Sequence, residues 1–152
     1  MTEPLHFMMG QFKALIPQDR QYSPRHLWLQ EVAPGRYRVG FTAYSLRLLQ
    51  DIYFLEWSID PDTVVRDKQE IGEIESAKAV SSMFPPFAGK VVAFNPQLLS
   101  DPSGINADNY GNGWLYEFET SQTPLSAAGY IEFLNSAWDD AQKTIKGQVN
   151  ES

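Results

Sequence analysis

The sequence contains no cysteine among its 152 residues. This absence excludes disulfide bonds, a thiolate nucleophile and a zinc site built on thiolates. Any sulfur redox chemistry would therefore have to come from a cofactor. The chain also lacks a run of the ~20 apolar residues that a membrane-spanning helix needs, and its N-terminus does not resemble a signal or transit peptide. We expect a cytoplasmic protein without a membrane segment.

Positive charge is scarce as well. Lysine and arginine number 12 against 19 aspartates and glutamates, which leaves a formal net charge of −7. Such a balance argues against binding to the phosphate backbone of nucleic acids and favours partners with basic patches. We find no phosphate-binding glycine motif, no supported Ser-His-Asp arrangement and no second metal ligand near His6. The sequence gives no reason to expect a catalytic or metal site.

The length is that of one domain with a substantial core. Residues 1–21 are interpreted as an N-terminal extension, because the apolar stretch Leu5–Met9 is too short and aperiodic to assign. The ordered domain is expected to begin at Tyr22 and to span residues 22–120. Residues 121–147 should form a helical segment that packs on it, capped by Ser126. The tail, residues 148–152, should fray.

Short strands separated by turns dominate the middle of the chain. A hairpin turn is predicted at Ala33–Gly35, a short helix capped by Thr42 follows, and the apolar run Ile52–Trp57 should be covered on both faces. The predicted fold is mainly β, a compact sandwich or partly closed barrel with short helices and a C-terminal helix. The residues of these strands that we expect to be buried are Leu55, Trp57 and Val92.

The stretch from Gly72 to Val80 has the most unusual composition. Two carboxylates precede Lys78, and alanines stand on both sides of it. The flanking β-formers and the small residues predict a hairpin with Lys78 at or near its tip and its ammonium in water. Taken alone, this pattern is typical of a solvated lysine on a turn. The surrounding sequence changes that interpretation.

A series of short motifs follows the same order along the chain as in a known protein family. Each motif is weak by itself, and the ordered set is strong. The motifs are Tyr22-Ser23 with His26 and Trp28; Val39-Gly40-Phe41-Thr42; Asp51-Ile52-Tyr53-Phe54; Glu75-Ser76-Ala77-Lys78-Ala79; Gly89-Lys90-Val91-Val92 with Asn95; Ile105-Asn106 with Tyr110; and Gly113-Trp114.

Together these motifs resemble the H protein of the glycine cleavage system, from Tyr22 to about Leu134. The resemblance implies a barrel-sandwich hybrid fold in which Lys78 carries lipoate through an amide bond. It further implies that Glu75 helps a lipoate ligase or lipoyltransferase to recognise the site. The implied role is that of a carrier without its own catalytic site, which shuttles an aminomethyl group and reducing equivalents. Its implied partners are glycine decarboxylase, aminomethyltransferase and dihydrolipoyl dehydrogenase.

Three positions depart from the family pattern. Leu27 stands where a glutamate usually helps to shelter the aminated arm, Ala43 replaces a common carboxylate, and Gln50 replaces the usual glycine before Asp51. A lipoate-binding carrier of another pathway, such as bacterial sulfur oxidation, and an unmodified interaction module therefore remain as alternatives. His26, two residues before Trp28, is expected to make a structural hydrogen bond.

Overall fold

The computed structural model describes residues 3–138, and every strand pairing within them is antiparallel. In chain order the strands are β1 (Leu5–Met9), β2 (Phe12–Ile16), β3 (Gln21–Ser23), β4 (Leu27–Ala33), β5 (Arg36–Phe41), β6 (Ile52–Trp57), β7 (Thr63–Val65), β8 (Gly72–Ser76), β9 (Val80–Met83), β10 (Gly89–Phe94) and β11 (Tyr116–Glu119).

Three short helices connect these strands, and a fourth helix occupies residues 127–138 at the end of the described part. The short helices are α1 (Ala43–Leu49), α2 (Pro96–Ser100) and α3 (Gly104–Ala107). Side-chain caps mark where α1, α2 and the C-terminal helix begin, whereas α3 has no side-chain cap. The predicted caps are confirmed: Thr42 accepts a hydrogen bond from the Ser45 amide, and the Ser126 hydroxyl accepts one from the Gly129 amide. Helix α3 was not predicted, because its four residues lie in a stretch dense in turn formers.

Strands β3 to β11 form two sheets that face one another across the main core, and β1 and β2 form a separate two-stranded sheet. The larger sheet has the order β3-β4-β5-β11-β10-β7, and the smaller one has the order β6-β8-β9. Alternating side chains of both sheets fill the space between them, which confirms the predicted mainly β sandwich. The largest buried residues of this core include Leu29, Ile52, Ile71, Ile74, Tyr116 and Phe118.

The expectation that ordered structure begins at Tyr22 was wrong. Strands β1 and β2 form a hairpin from Leu5 to Ile16, and Ala14 and Ile16 in it are fully buried. This hairpin joins α1 and the C-terminal helix in a second hydrophobic cluster around Tyr22 and Trp28. Residues of β1 and β2 alternate between exposed and buried in the structure, but Leu5–Met9 shows no such alternation in the sequence and each strand has only five residues. Their burial depends on contacts with residues more than 100 positions later.

The predicted burial of β6 and β10 also needs correction. Leu55, Trp57 and Val92 are only half-buried, and Tyr53 in the same run is 62% exposed. Strand β6 belongs to one of two sheets packed face to face, so only one of its faces meets the core. Trp57 stacks on Phe94 from that face at 4.7 Å between ring centroids. A continuous apolar run therefore does not distinguish a strand covered on both faces from one with an exposed aromatic outer face.

The C-terminal helix buries Tyr130 and Leu134, as its three-four spacing predicts. Ala141 and Ile145, which continue the predicted stripe, and the predicted tail lie outside the described residues. Within the described part, no helix is both long enough and apolar enough to cross a membrane.

Candidate cofactor-attachment site

Lys78 is exposed at the tip of the hairpin formed by β8 and β9, as predicted. The turn consists of Ala77, Lys78 and Ala79, and the amide of Ser76 donates to the carbonyl of Ala79 at 2.9 Å across its base. All three residues are exposed, and the side chains on both sides of the lysine end at Cβ. We refer to these three residues as the lysine turn.

The buried hydroxyl of Ser76 holds the lysine turn together from below. Its Oγ accepts hydrogen bonds from the amides of Lys78 at 3.3 Å and Ala79 at 3.2 Å, and it donates to the Ala79 carbonyl. Ser76 is only 5% exposed, so water does not compete freely for these groups. The backbone that carries Lys78 is thus fixed while its side chain is free.

A second set of hydrogen bonds ties the lysine turn to the rest of the domain. The amide of Ala77 donates to the carbonyl of Asp51 at 2.9 Å. On either side of Asp51, the Asn106 side chain accepts from the Ile52 amide at 2.8 Å and donates to the Gln50 carbonyl at 3.0 Å. Asn106 belongs to α3, so this helix braces the segment on which the turn rests. The sequence identified Asn106 only as part of the family resemblance.

Gln50 has a backbone conformation that few side chains adopt. Its φ is 63° and its ψ is −150°, a region populated almost only by glycine. This explains why a glycine is usual at this position in the family pattern. The conformation lets the chain leave α1 and enter β6 beside the lysine turn.

Negative charge and apolar side chains surround the lysine turn. Glu75 is half-buried and lies opposite Phe54 on β6 and Val80 on β9, while Glu73 is exposed one pleat away. Val80 is 63% exposed and Phe54 is 38% exposed. A protein that binds here therefore meets an acidic rim with apolar contacts, which favours a basic docking surface.

An apolar cavity of about 360 Å³ lies along β9, next to the lysine turn. Its walls come from the segment 24–27, from the segment 81–84 at the end of β9 and from core residues such as Phe41, Ile74 and Leu115. Ser81 is three residues after Lys78, a distance of ~10 Å along an extended strand. Sequence reasoning expected a sheltering cleft near position 27 only through the family resemblance, because the other walls come from segments that lie far apart in the chain.

Leu27, the first departure from the family pattern, lies in the wall of this cavity and is 5% exposed. Ala43 does not line it. The Ala43 amide instead donates a hydrogen bond to the Tyr110 hydroxyl at 2.9 Å, on the side of the second cluster. The two positions at which a family carboxylate is missing thus lie in different parts of the domain, and only Leu27 affects the cavity.

His26 also lines the cavity, and its role is structural, as expected. Its Nδ1 lies 2.9 Å from the hydroxyl of Tyr130, and its ring stacks on Tyr44 at 4.6 Å. Burial lowers the pKa of His26 to about 4, so the imidazole is neutral at pH 7. His26 lies just before the first residue of β4, and its φ of 65° is not that of a strand. Its side chain therefore does not follow the two-residue alternation of that strand.

Trp28 is a packing residue of the second cluster. It is 1% exposed, and its Nε1 donates to the carbonyl of Asn109 at 2.8 Å. The guanidinium of Arg20 lies 4.7 Å from its ring centroid. A Cβ on Gly40 would come within 2.5 Å of the indole, so the glycine on the neighbouring strand makes room for it.

The lysine turn fits a covalently attached lipoyl group. Its lysine is exposed, its neighbours are small, its backbone is braced, and an apolar cavity lies beside it. A metal centre has no such support: within residues 3–138, no cluster of His, Asp and Glu side chains could hold a metal ion.

Comparison with known proteins agrees with this geometry. The sequence model of the family described as "Glycine cleavage H-protein" matches residues 20–137. The glycine cleavage system H protein of Nocardia farcinica is 37% identical over 126 residues, which cover 77% of this chain and 95% of the relative. That of Mycolicibacterium gilvum is 39% identical over 113 residues, covering 74% and 86% respectively.

A solved structure supports the same relationship. The crystal structure of a glycine cleavage system H protein from Mycobacterium marinum superimposes with a TM-score of 0.67 at 32% sequence identity. The match covers 80% of this chain and 98% of that one. The N-terminal hairpin from Leu5 to Ile16 precedes the region matched by the family model. From residue 20 onward, the chain belongs to the glycine cleavage H-protein family, whose members are lipoyl carriers.

Proposed function

We propose that Lys78 is the lipoyl attachment site and that the chain is a carrier of the glycine cleavage H-protein type. The observation that supports this most directly is the exposed Lys78 side chain on a turn whose backbone is fixed from two sides. A bound lipoyl group supplies a disulfide that can be reduced, loaded and reoxidised. Acylation of the Lys78 amine removes its charge and extends the side chain into a long arm, called the lipoyl arm below.

The residues around the turn have distinct parts in this proposal. Ser76 and Asn106 keep the root of the arm in one place, so that each partner meets it in the same geometry. Glu75 serves recognition by the lipoate ligase or lipoyltransferase, whose basic surface it would contact. The same rim serves glycine decarboxylase, aminomethyltransferase and dihydrolipoyl dehydrogenase, between which an aminomethyl group and reducing equivalents would be carried.

Intact-mass analysis tests the attachment. Protein incubated with ligase, ATP and lipoate should gain one lipoyl increment, and peptide mapping should place it on Lys78. Lys78→Arg should abolish the increment, while Lys13→Arg, a matched change at another exposed lysine, should not. A mass that stays at that of the bare sequence, with ligase and lipoate in excess, would contradict the proposal and favour an unmodified interaction module.

The same assay tests Glu75. Glu75→Gln should slow lipoylation about tenfold, since the loss of a charge-assisted contact costs roughly 1.5 kcal/mol or more. Glu73→Gln, which removes the same charge one pleat away, is the matched control and should have less effect. Equal rates for both variants would show that the acidic rim acts only through its total charge.

A lipoyl carrier of another pathway is the second candidate, and Leu27 favours it. An aminomethyl group is protonated near neutral pH, and a leucine in the cavity wall offers it no acceptor. Lipoylated protein should therefore accept aminomethyl from a glycine decarboxylase but release it as formaldehyde sooner than Leu27→Glu does. Failure to load at all with the decarboxylase of the same organism would reject the glycine-cleavage role and favour this second candidate.

A further inference from the structure

We infer that the cavity beside the lysine turn selects a lipoyl arm with an anionic end over one with a cationic end. This inference rests on the proposed attachment at Lys78 and adds the chemical class of cargo that the chain can shelter. It follows from the charged and polar groups in the walls of the cavity.

Arg25 is the charged side chain of the cavity wall, and none of the described residues that line the cavity is Asp or Glu. The Arg25 guanidinium lies 5.5 Å from the ring centroid of Phe84, a residue of the opposite wall segment. Its Nε donates to Asp67 at 3.4 Å, which is its one side-chain hydrogen bond within residues 3–138. The remaining N–H groups are therefore available to an anion.

Two carboxylates touch the cavity residues without lining the cavity. Asp67 is paired with Arg25, and its side chain is 56% exposed, so the pair is weak. Glu70 is exposed and accepts a hydrogen bond from the hydroxyl of Ser82 at 2.7 Å. Neither is in the position of the buried Leu27, where a carboxylate would face a docked cation. The cavity thus has a cation at its rim and an apolar wall behind it.

The other polar groups of the wall agree with this assignment. His26 carries no charge at neutral pH, because burial lowers its pKa to about 4. Tyr116 stays protonated, since burial raises the pKa of its hydroxyl. Within the described residues this buried hydroxyl has no hydrogen-bond partner. Neither side chain therefore adds a negative charge to the wall that could hold a cationic end.

The electrostatic field of the whole chain favours the opposite charge on the arm. The net charge is −7, and Glu73 and Glu75 stand near the root of the arm. Long-range electrostatics alone would therefore favour a cationic arm over an anionic one. A measured preference for an anion must come from the cavity itself, which makes the experiment decisive.

The absence of cysteine allows the charge of the arm to be varied cleanly. After lipoylation and reduction, the two lipoyl sulfurs are the only thiols, because the chain has no cysteine. Alkylation with iodoacetate, iodoacetamide or 2-bromoethylamine then gives arms of similar size that are anionic, neutral or cationic. Each displaces its halide from one carbon and leaves the protein sequence unchanged, and intact mass confirms each product.

Docking can be followed by NMR on the methionine methyl groups. The chain has four methionines, and Met83 lines the cavity at 6% exposure, whereas Met8 lies on the distant N-terminal hairpin. The Met83 signal should shift most with the anionic arm, less with the neutral arm and least with the cationic arm. The ratio of docked to free arm should differ about tenfold between the two charged forms, as expected for one charge-assisted hydrogen bond. The Met8 signal should not move.

Three variants assign the preference to the cavity. Arg25→Gln should remove most of it, Lys13→Gln should leave it unchanged as a matched loss of one distant positive charge, and Leu27→Glu should reverse its order. A cationic arm that docks as well as the anionic one, a Met83 signal insensitive to all three arms, or a preference that survives Arg25→Gln would overturn the inference. A missing lipoyl increment would overturn the proposed function as well, so the two failures are distinguishable.

Discussion

The hairpin of β8 and β9 has an exposed tip and a buried inner face. At its tip, the lysine turn is exposed, made of small residues and held by hydrogen bonds to Ser76 and to the Asp51 carbonyl. Along its inner face, Ile74 and Met83 are buried in the wall of the cavity and in the main core. The difference teaches that position and selectivity have separate origins here. Under the proposed function, the tip would fix where the cofactor is rooted, and the cavity would decide which form of it is sheltered.

The largest expected effect comes from the inner face of this hairpin. Ile74 is 1% exposed, so Ile74→Ala should lower the free energy of unfolding by about 3–4 kcal/mol through lost burial and an enlarged cavity. Val80→Ala, at an exposed position of the same hairpin, should change it by less than about 0.5 kcal/mol. Urea titration followed by tryptophan fluorescence measures both. Similar losses for the two variants would show that the hairpin does not have one buried and one exposed face.

The tip could be predicted from the sequence because its signals are local. Alanines beside a lysine, a serine two residues earlier and β-formers on both sides indicate a tight hairpin turn, and that is what forms. The short helix after Thr42 was predicted for the same reason, since its capping residue adjoins it. The assignment of these local signals to a lipoyl carrier came from the ordered motifs, not from the turn itself.

The cavity and the N-terminal hairpin could not be predicted in this way. Leu27 was singled out because it departs from the family pattern, but the cavity that it lines together with β9 brings together residues about 55 positions apart. Arg25 carried no signal at all, because an arginine after a proline is typical of any exposed turn. The hairpin of β1 and β2 is ordered by contacts with α1 and the C-terminal helix. Non-local packing of this kind leaves no trace in a short window of sequence.

The next largest effect is a pH dependence of the free energy of unfolding that originates in the cavity wall and not at the tip. His26 has a pKa of about 4 in the folded protein, below its ordinary value near 6.5. Below pH 6.5 the unfolded chain therefore binds a proton that the folded chain does not, and stability falls as the pH drops towards 4. Above pH 6.5 this contribution is complete. Between pH 7.5 and 4.5 the expected loss from His26 is about 2 kcal/mol.

His26→Gln isolates this contribution, because carboxylates also titrate in the same range and their effect is common to both proteins. Glutamine keeps a polar group near the Tyr130 hydroxyl and cannot titrate. The free energy of unfolding should fall about 2 kcal/mol less in the variant than in the parent chain over this pH interval. Parallel pH profiles for the two proteins would mean that the imidazole is hydrated and that the cavity wall is open to water at His26.

The smallest expected effect on stability concerns Gln50, at the base of the lysine turn. Here the substitution should stabilise the protein. Gln50 has φ 63° and ψ −150°, a conformation that costs a side-chain-bearing residue of order 1–3 kcal/mol. Glycine adopts it without strain, but it also gives the unfolded chain more freedom, at roughly 0.5–1 kcal/mol. Gln50→Gly also loses the side-chain hydrogen bond to the Arg47 carbonyl. The net result should be a stabilisation of about 1 kcal/mol.

This variant sharpens the comparison because it acts on the tip and leaves the cavity untouched. Gln50 does not line the cavity, whereas its carbonyl accepts the hydrogen bond from Asn106 that braces the segment under Ala77. Gln50→Gly should therefore raise the midpoint of thermal unfolding by a few degrees, since about 1 kcal/mol corresponds to roughly 2–8 °C in domains of this size range. Gln50→Ala, which keeps a Cβ in the same conformation, is the matched control and should gain nothing. Destabilisation of both variants alike would mean that the glutamine side chain, and not its backbone conformation, decides the stability of this junction.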